Sequence, residues 1–250
     1  MKKNLQKTAK KGQITAFVIL GGVILFLFFL VLYLKPSFIQ GGAGSKIELA
    51  HQAEDVNKYI HDCVRGLAED GLVEMGMHGG YISPEDYFAA FYSEVGYAYN
   101  KGKTFPEIEV LEEELSAYIE NNLKRKCDLN TFKDNLEISE SNRVKTKSAF
   151  KNNVIVDVSW YVDVRKDNNT FKYKNYKVEI PVRMGKIWEI TNNIIQNPKK
   201  AESEDYIKSL EDVTINRYGH ERLQSVYMIR DYKSKIKNKD YYIFAFAIKE

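Results

Sequence analysis

Residues 154–165 read VIVDVSWYVDVR. Val154, Val156, Val158, Trp160, Val162 and Val164 alternate with Ile155, Asp157, Ser159, Tyr161, Asp163 and Arg165, and this period of two predicts a strand with one buried and one wetted face. KDNNT at 166–170 supplies a turn, and a second strand is expected from Phe171 to Val182. Its apolar parity moves from odd (Phe171, Tyr173) to even (Tyr176, Val178, Ile180, Val182), which predicts a bulge near Asn175. Pro181 fits an edge strand or a strand end, because it donates no ladder hydrogen bond.

Outward from this hairpin the period becomes helical. Leu49, Ala53, Val56, Ile60, Cys63 and Leu67 fall alternately four and three apart, so residues 46–75 read as a long helix with one buried stripe. GMHGGYISP at 76–84 is a glycine-rich turn. Ser83, Pro84, Glu85 and Asp86 then offer an N-cap, a proline at N1 and acids in a first turn, and predict a short helix. Residues 95–105, VGYAYNKGKTF, alternate aromatics and carry a Lys-Gly-Lys turn. A second long helix is expected from Glu107 to Cys127, with Ile108, Leu111, Leu115, Tyr118, Ile119 and Leu123 on one stripe. Helices near 185–197 and 202–211 and a closing hairpin near 222–231 and 240–248 complete an α+β pattern, with long helices packed on an antiparallel sheet.

The front of the chain differs. ITAFVILGGVILFLFFLVLYL, Ile14 to Leu34, carries no charge and makes a helix of roughly 31 Å, the thickness of a bilayer's hydrocarbon core. Lys2, Lys3, Lys7, Lys10 and Lys11 precede it without any acid, which predicts a cytoplasmic tail over 1–13, a transmembrane helix over 14–34 and residues 36–250 outside the cytoplasm. A cleaved secretory signal is the alternative, but its apolar region is ordinarily shorter. Residues 35–45 read as a linker, 46–130 as a mainly helical part and 131–250 as a sheet part of the same domain. Of the 37 basic residues six lie at or before Lys35, which leaves 31 against 34 acidic ones in the outer part. That balance disfavours nucleic acid as a partner.

Lys10 to Phe17, KKGQITAF, resembles the class III signals of archaeal type IV pilin-like proteins. The resemblance implies cleavage by a prepilin peptidase between Gly12 and Gln13. That family's pattern has a glutamate at the fifth mature position, where this chain has Phe17, so the resemblance implies processing more than polymerisation. KKGQITAFVILG, HGGYISPEDY (78–87), the two cysteines and VYMIRDYKSKIKNKDYYIFAFA (226–247) together resemble a group of uncharacterised membrane-anchored proteins of small-genome archaea. That likeness implies an anchored extracytoplasmic protein and carries no activity with it.

Candidate chemistry is sparse. Cys63 and Cys127 are the only cysteines, each on the apolar stripe of an expected helix. Outside the membrane they fit one disulfide, and the other reading is a pair of buried thiols. The histidines are His51, His61, His78 and His220; none pairs at i, i+4, so a metal site is not expected, nor is a cofactor. His78 beside Gly79, Gly80 and Tyr81 is the best functional candidate, weighed against a purely structural turn. Glu112, Glu113 and Glu114 read as a solvated helix face. Asn168-Asn169-Thr170 is a sequon on an expected hairpin tip, which makes Asn168 a glycosylation candidate.

These features together predict a non-enzymatic envelope component, pilin-like in its signal, whose partners are the membrane through Ile14–Leu34 and other envelope proteins or further copies of itself. The alternatives are an anchored enzyme, joining His78 or Cys63 to Glu85 or Asp86, and a ligand-binding domain with an apolar cleft between helices and sheet.

Overall fold

The computed structural model of the chain describes residues 21–26, 43–91, 93–100, 102, 105–220 and 224–249. The chain divides into two units, Met1–Gln52 and Ala53–Glu250. In the first, residues 21–26 are helical and a long helix, α1 (Ala43–Met77), begins. The basic tail, Gly12, Gln13, most of the run 14–34 and most of the 35–45 linker lie outside the described residues. Among the described residues no helix is long and apolar enough to cross a membrane.

The second unit is α+β. After the rest of α1 come β1 (Tyr87–Ala90), β2 (Ser93–Asn100), α2 (Ile108–Lys126), β3 (Glu137–Phe150), β4 (Val154–Lys166), β5 (Asn169–Ile180), α3 (Met184–Gln196), α4 (Glu204–Ser209), β6 (Val213–His220), β7 (Gln224–Asp231) and β8 (Tyr242–Lys249). β3, β4 and β5 form one antiparallel sheet in that order. The other sheet runs β1-β2-β8-β7-β6, with β2 parallel to β8 and the remaining neighbours antiparallel. The mainly helical part expected over 46–130 therefore contributes two strands to a sheet whose centre is the end of the chain.

β4 is built as its alternation dictates. All six inward residues from Val154 to Val164 are fully buried, each such side chain stabilising the fold by roughly 1.5–3 kcal/mol. Lys166 pairs with Asn169, so the hairpin turns on Asp167 and Asn168, with Asp167 at φ 53°. The register slips where β5 changes parity: Ser159 faces Asn175, but Val162 faces Tyr173. It slips on the other flank at the same height, between the Glu140–Val162 and Val144–Trp160 pairs. The fully buried Trp160 sits there and donates its indole N–H to Ser141 O at 3.3 Å.

Three expectations are corrected. Residues after Ser83 form no helix; 82–86 bend, and Tyr87–Ala90 pair with β2. Phe88 and Ala90 pack against Val95, Val226, Ala245 and Ala247, and that long-range burial outweighs a local cap signal. Second, β3 and β6 were not expected as strands. β3 reads EISESNRVKTKSAF, too polar to show alternation, because it is the edge of its sheet.

Third, the acidic face of α2 is not simply solvated. Leu111, Leu115, Ile119 and Leu123 are its buried stripe. Beside that stripe, Glu112 Oε1 accepts from Phe150 N at 2.6 Å, Ser116 Oγ from Ser148 N at 2.9 Å and Glu120 Oε1 from Thr146 N at 2.5 Å. Four helical residues rise about 6 Å and two strand residues about 6.7 Å, so every fourth side chain of a helix meets every second N–H of a strand. α2 thus stands where a fourth strand would.

The end of α1 rests on the start of β8. Tyr242 donates its buried hydroxyl to Leu72 O at 2.6 Å, and a Cβ on Gly76 would collide with Ile243 O. Lys237 pairs with Asp70 nearby.

Candidate functional site

The turn that holds His78, Gly79, Gly80 and Tyr81 ends α1. Gly80 N donates to Met75 O at 2.7 Å and Gly79 takes φ +72°, the left-handed cap that glycine favours. The chain then passes β2 at very close range. A Cβ on Gly79 would stand 2.7 Å from Gly96 O, and one on Gly96 would stand 2.5 Å from His78 O. Two glycines from separate elements are needed for this crossing, which accounts for the motif by backbone contact.

His78 is partly buried. Its Nδ1–H donates to Ile82 O at 3.0 Å, and Glu74 lies 3.7 Å away. Burial, with Glu114 nearby, pushes the Tyr81 phenol above its ordinary value. Glu85 and Asp86 are exposed in the bend before β1, where Asp86 accepts from Asn100. Among the described residues no hydrogen bond or ion pair joins His78 to either acid.

Cys63 and Cys127 are bonded to each other, with Cα atoms 5.7 Å apart and a sequence separation of 64. Val64 fills the inner stripe of α1, and Cys63 sits at its margin, half-buried, facing the chain just after α2. Tyr59 reinforces this junction by donating to Asp128 O at 3.2 Å and by an edge contact with Phe132. A bonded sulfur offers no thiolate, so Cys63 supplies no nucleophile in this state.

Sequence reasoning missed a buried carboxylate held by several donors. Asp231, 1% exposed at its side chain, accepts from Arg183 Nε at 2.9 Å, from Arg183 Nη2, from Ser234 Oγ at 2.5 Å and from Lys233 N at 3.1 Å. Burial opposes the charge, but the hydrogen bonds from Arg183, Ser234 and Lys233 outweigh it and hold the carboxyl below its usual range. Arg183 N also donates to Ser234 Oγ at 2.9 Å. The cluster fastens the start of α3 to the turn after β7. All of its acceptors are engaged, which suits a structural clamp. Nothing local in sequence pairs residues 183 and 231.

Open grooves also lie on the described surface. A groove of about 540 Å³ runs between α2 and β3, lined by Glu109, Glu113, Ala117 and Lys147 among others, with Glu112, Ser116 and Glu120 spent on the strand edge. A second of about 490 Å³ lies along the β1–β2 hairpin beside Tyr87 and Phe91, and the Phe91 ring meets Tyr218 edge-on at 4.9 Å. Among the described residues no group of three His, Cys, Asp or Glu side chains is placed to hold a metal ion. His61 stands edge-on to Tyr176 at 5.4 Å, His51 is exposed, and the His220 side chain lies outside the described residues. Asn168 is exposed at the tip of the β4–β5 hairpin. Comparison with protein families, with curated proteins and with solved structures gives no match.

Proposed function

We propose that this chain is a single-pass membrane protein, anchored by Ile14–Leu34, that presents residues 36–250 outside the cytoplasm and acts there by binding or assembly. One observation carries the reading. Residues 21–26, in the middle of the uncharged run, are helical, and Val23, Ile24, Leu25 and Phe26 expose 49, 60, 56 and 66% of their surface. Four consecutive residues point to all sides of a helix, so their apolar side chains call for an apolar surround on every side. The bonded cysteines support the location, since disulfides persist in oxidising compartments. The basic approach to the run sets the orientation, and a peptidase cut between Gly12 and Gln13 belongs to the same proposal.

The test is fractionation and proteolysis of intact cells that make the full chain. The protein should stay with membranes through alkaline carbonate washing and should be cut beyond residue 36 by protease added outside. Release by carbonate, or protection of the folded unit in intact cells, would refute the anchored, outward-facing topology.

A further inference from the structure

We propose that the solvent face of the β3–β4–β5 sheet docks an acidic polysaccharide, with Lys145, Lys147, Lys172, Lys174 and Lys177 facing its carboxylates and Tyr161 stacking on a sugar ring. The register assembles this face from three strands. Lys147 and Lys177 flank Asp157, Lys145 and Asn175 flank Ser159, and Lys172 lies opposite Asp163. β4 turns its odd-numbered residues outward, so these partners share one face, and all five lysines are exposed. Lys174 Nζ stands 4.9 Å over the Tyr161 ring, which is itself 53% exposed.

The face has an excess of positive charge. Residues beyond Lys35 carry 31 basic and 34 acidic side chains, whereas this face sets the five lysines and Arg165 against Glu137, Asp157, Asp163 and Glu179. Asp163 is taken by Arg165 at 3.3 Å, and among the described residues none of the five lysines has an ion-pair partner. The lysine rows span roughly 20 Å along the strands and about 10 Å across them, the footprint of a few sugar units. Lysines on an edge strand also deter strand addition, which would account for those on β5. That reason does not extend to Lys145 and Lys147, whose strand edge α2 already covers, nor to an exposed tyrosine at the centre. A ring flanked by cations matches a uronic-acid chain, which offers an apolar sugar face and a carboxylate on each residue.

The choice of a glycan among polyanions rests on the extracytoplasmic reading above. The experiment uses the purified full-length chain in neutral detergent, with polygalacturonate as probe and neutral dextran, duplex DNA and phosphatidylglycerol vesicles beside it. Polygalacturonate should bind, and more weakly as salt rises, because the attraction is screened. The K145E/K147E/K177E variant should lose at least about tenfold in affinity. Tyr161→Ala, which leaves charge unchanged, should lose about threefold to tenfold. Binding no tighter than dextran, or unaltered by either variant, would overturn the proposal. So would DNA or vesicles binding more tightly than polygalacturonate. The assay needs no membrane orientation, so its failure leaves the topology standing, and a failed carbonate or protease test leaves the binding result standing.

Discussion

The carboxylate of Glu112 accepts the backbone N–H of Phe150 at 2.6 Å, so a helix side chain takes the place of a neighbouring strand. Glu120 and Ser116 repeat the contact at Thr146 and Ser148. Glu112→Ala and Glu120→Ala should each destabilise the fold by about 1–3 kcal/mol, the range for hydrogen bonds to charged groups. Glu112→Gln, which keeps an acceptor oxygen, should cost less. Urea unfolding of the three variants measures this, and equal losses for Ala and Gln would refute the capping role.

Asp231 should set the acid limit of stability. Its native carboxyl is held below the ordinary value by Arg183, Ser234 and Lys233 in spite of burial. A group lowered on folding contributes stability fully above its unfolded value, about pH 4, and loses it as pH falls through the native value. Melting temperature should therefore fall on acidification below about pH 4. Asp231→Asn should flatten that acid limb and lower stability at pH 7 by about 2–4 kcal/mol, since it strands the partly buried Arg183. A limb unchanged in Asp231→Asn would assign the acid sensitivity elsewhere.

The glycine crossing separates structure from chemistry in the HGGY motif. Gly96→Ala places a methyl about 2.5 Å from His78 O and should cost more than about 2 kcal/mol, or prevent folding. His78→Ala removes one partly exposed hydrogen bond and should cost only about 1 kcal/mol. Thermal melts of the two variants rank them, and the opposite order would give His78 a larger part than the backbone contact does.

Reduction of the Cys63–Cys127 bond should lower stability by roughly 3–4 kcal/mol through the freed loop. Intact mass of the native protein should rise by two hydrogens on reduction. Cys63→Ala combined with Cys127→Ala should reproduce the loss in denaturant midpoint and remove the mass change.

Asn168 provides a separate check on location. Exposed on a two-residue turn, it is open to a glycosyltransferase if the folded unit is exported. Enzymatic or chemical deglycosylation should lower the mass of the peptide that contains it, and Asn168→Gln should abolish that change.

The elements legible in the sequence were those whose burial follows a period. β4 and α2 carry unbroken apolar patterns, and even the register slip beside Asn175 left a parity change behind. β3 was not legible because its edge is satisfied by glutamates and a serine on another element, which leaves no local trace. The cap signal at Ser83 was real as chemistry but lost to the pairing of β1 with β2. The basic sheet face was half visible, as Lys145-x-Lys147 and Lys172-x-Lys174, but only register brings strands 20 or more residues apart into one row.

The disulfide also decides how the molecule carries load. When the chain is pulled from its N-terminal side while a ligand is gripped by β3–β5, tension travels along α1, crosses at Cys63–Cys127 and continues into β3. The segment between the two cysteines, residues 64–126 with β1, β2 and α2, lies outside that line of force. Roughly 210–230 Å of slack that a reduced chain would pay out is locked away. The bridge fixes the length of that path, which in the reduced chain would lengthen under strain.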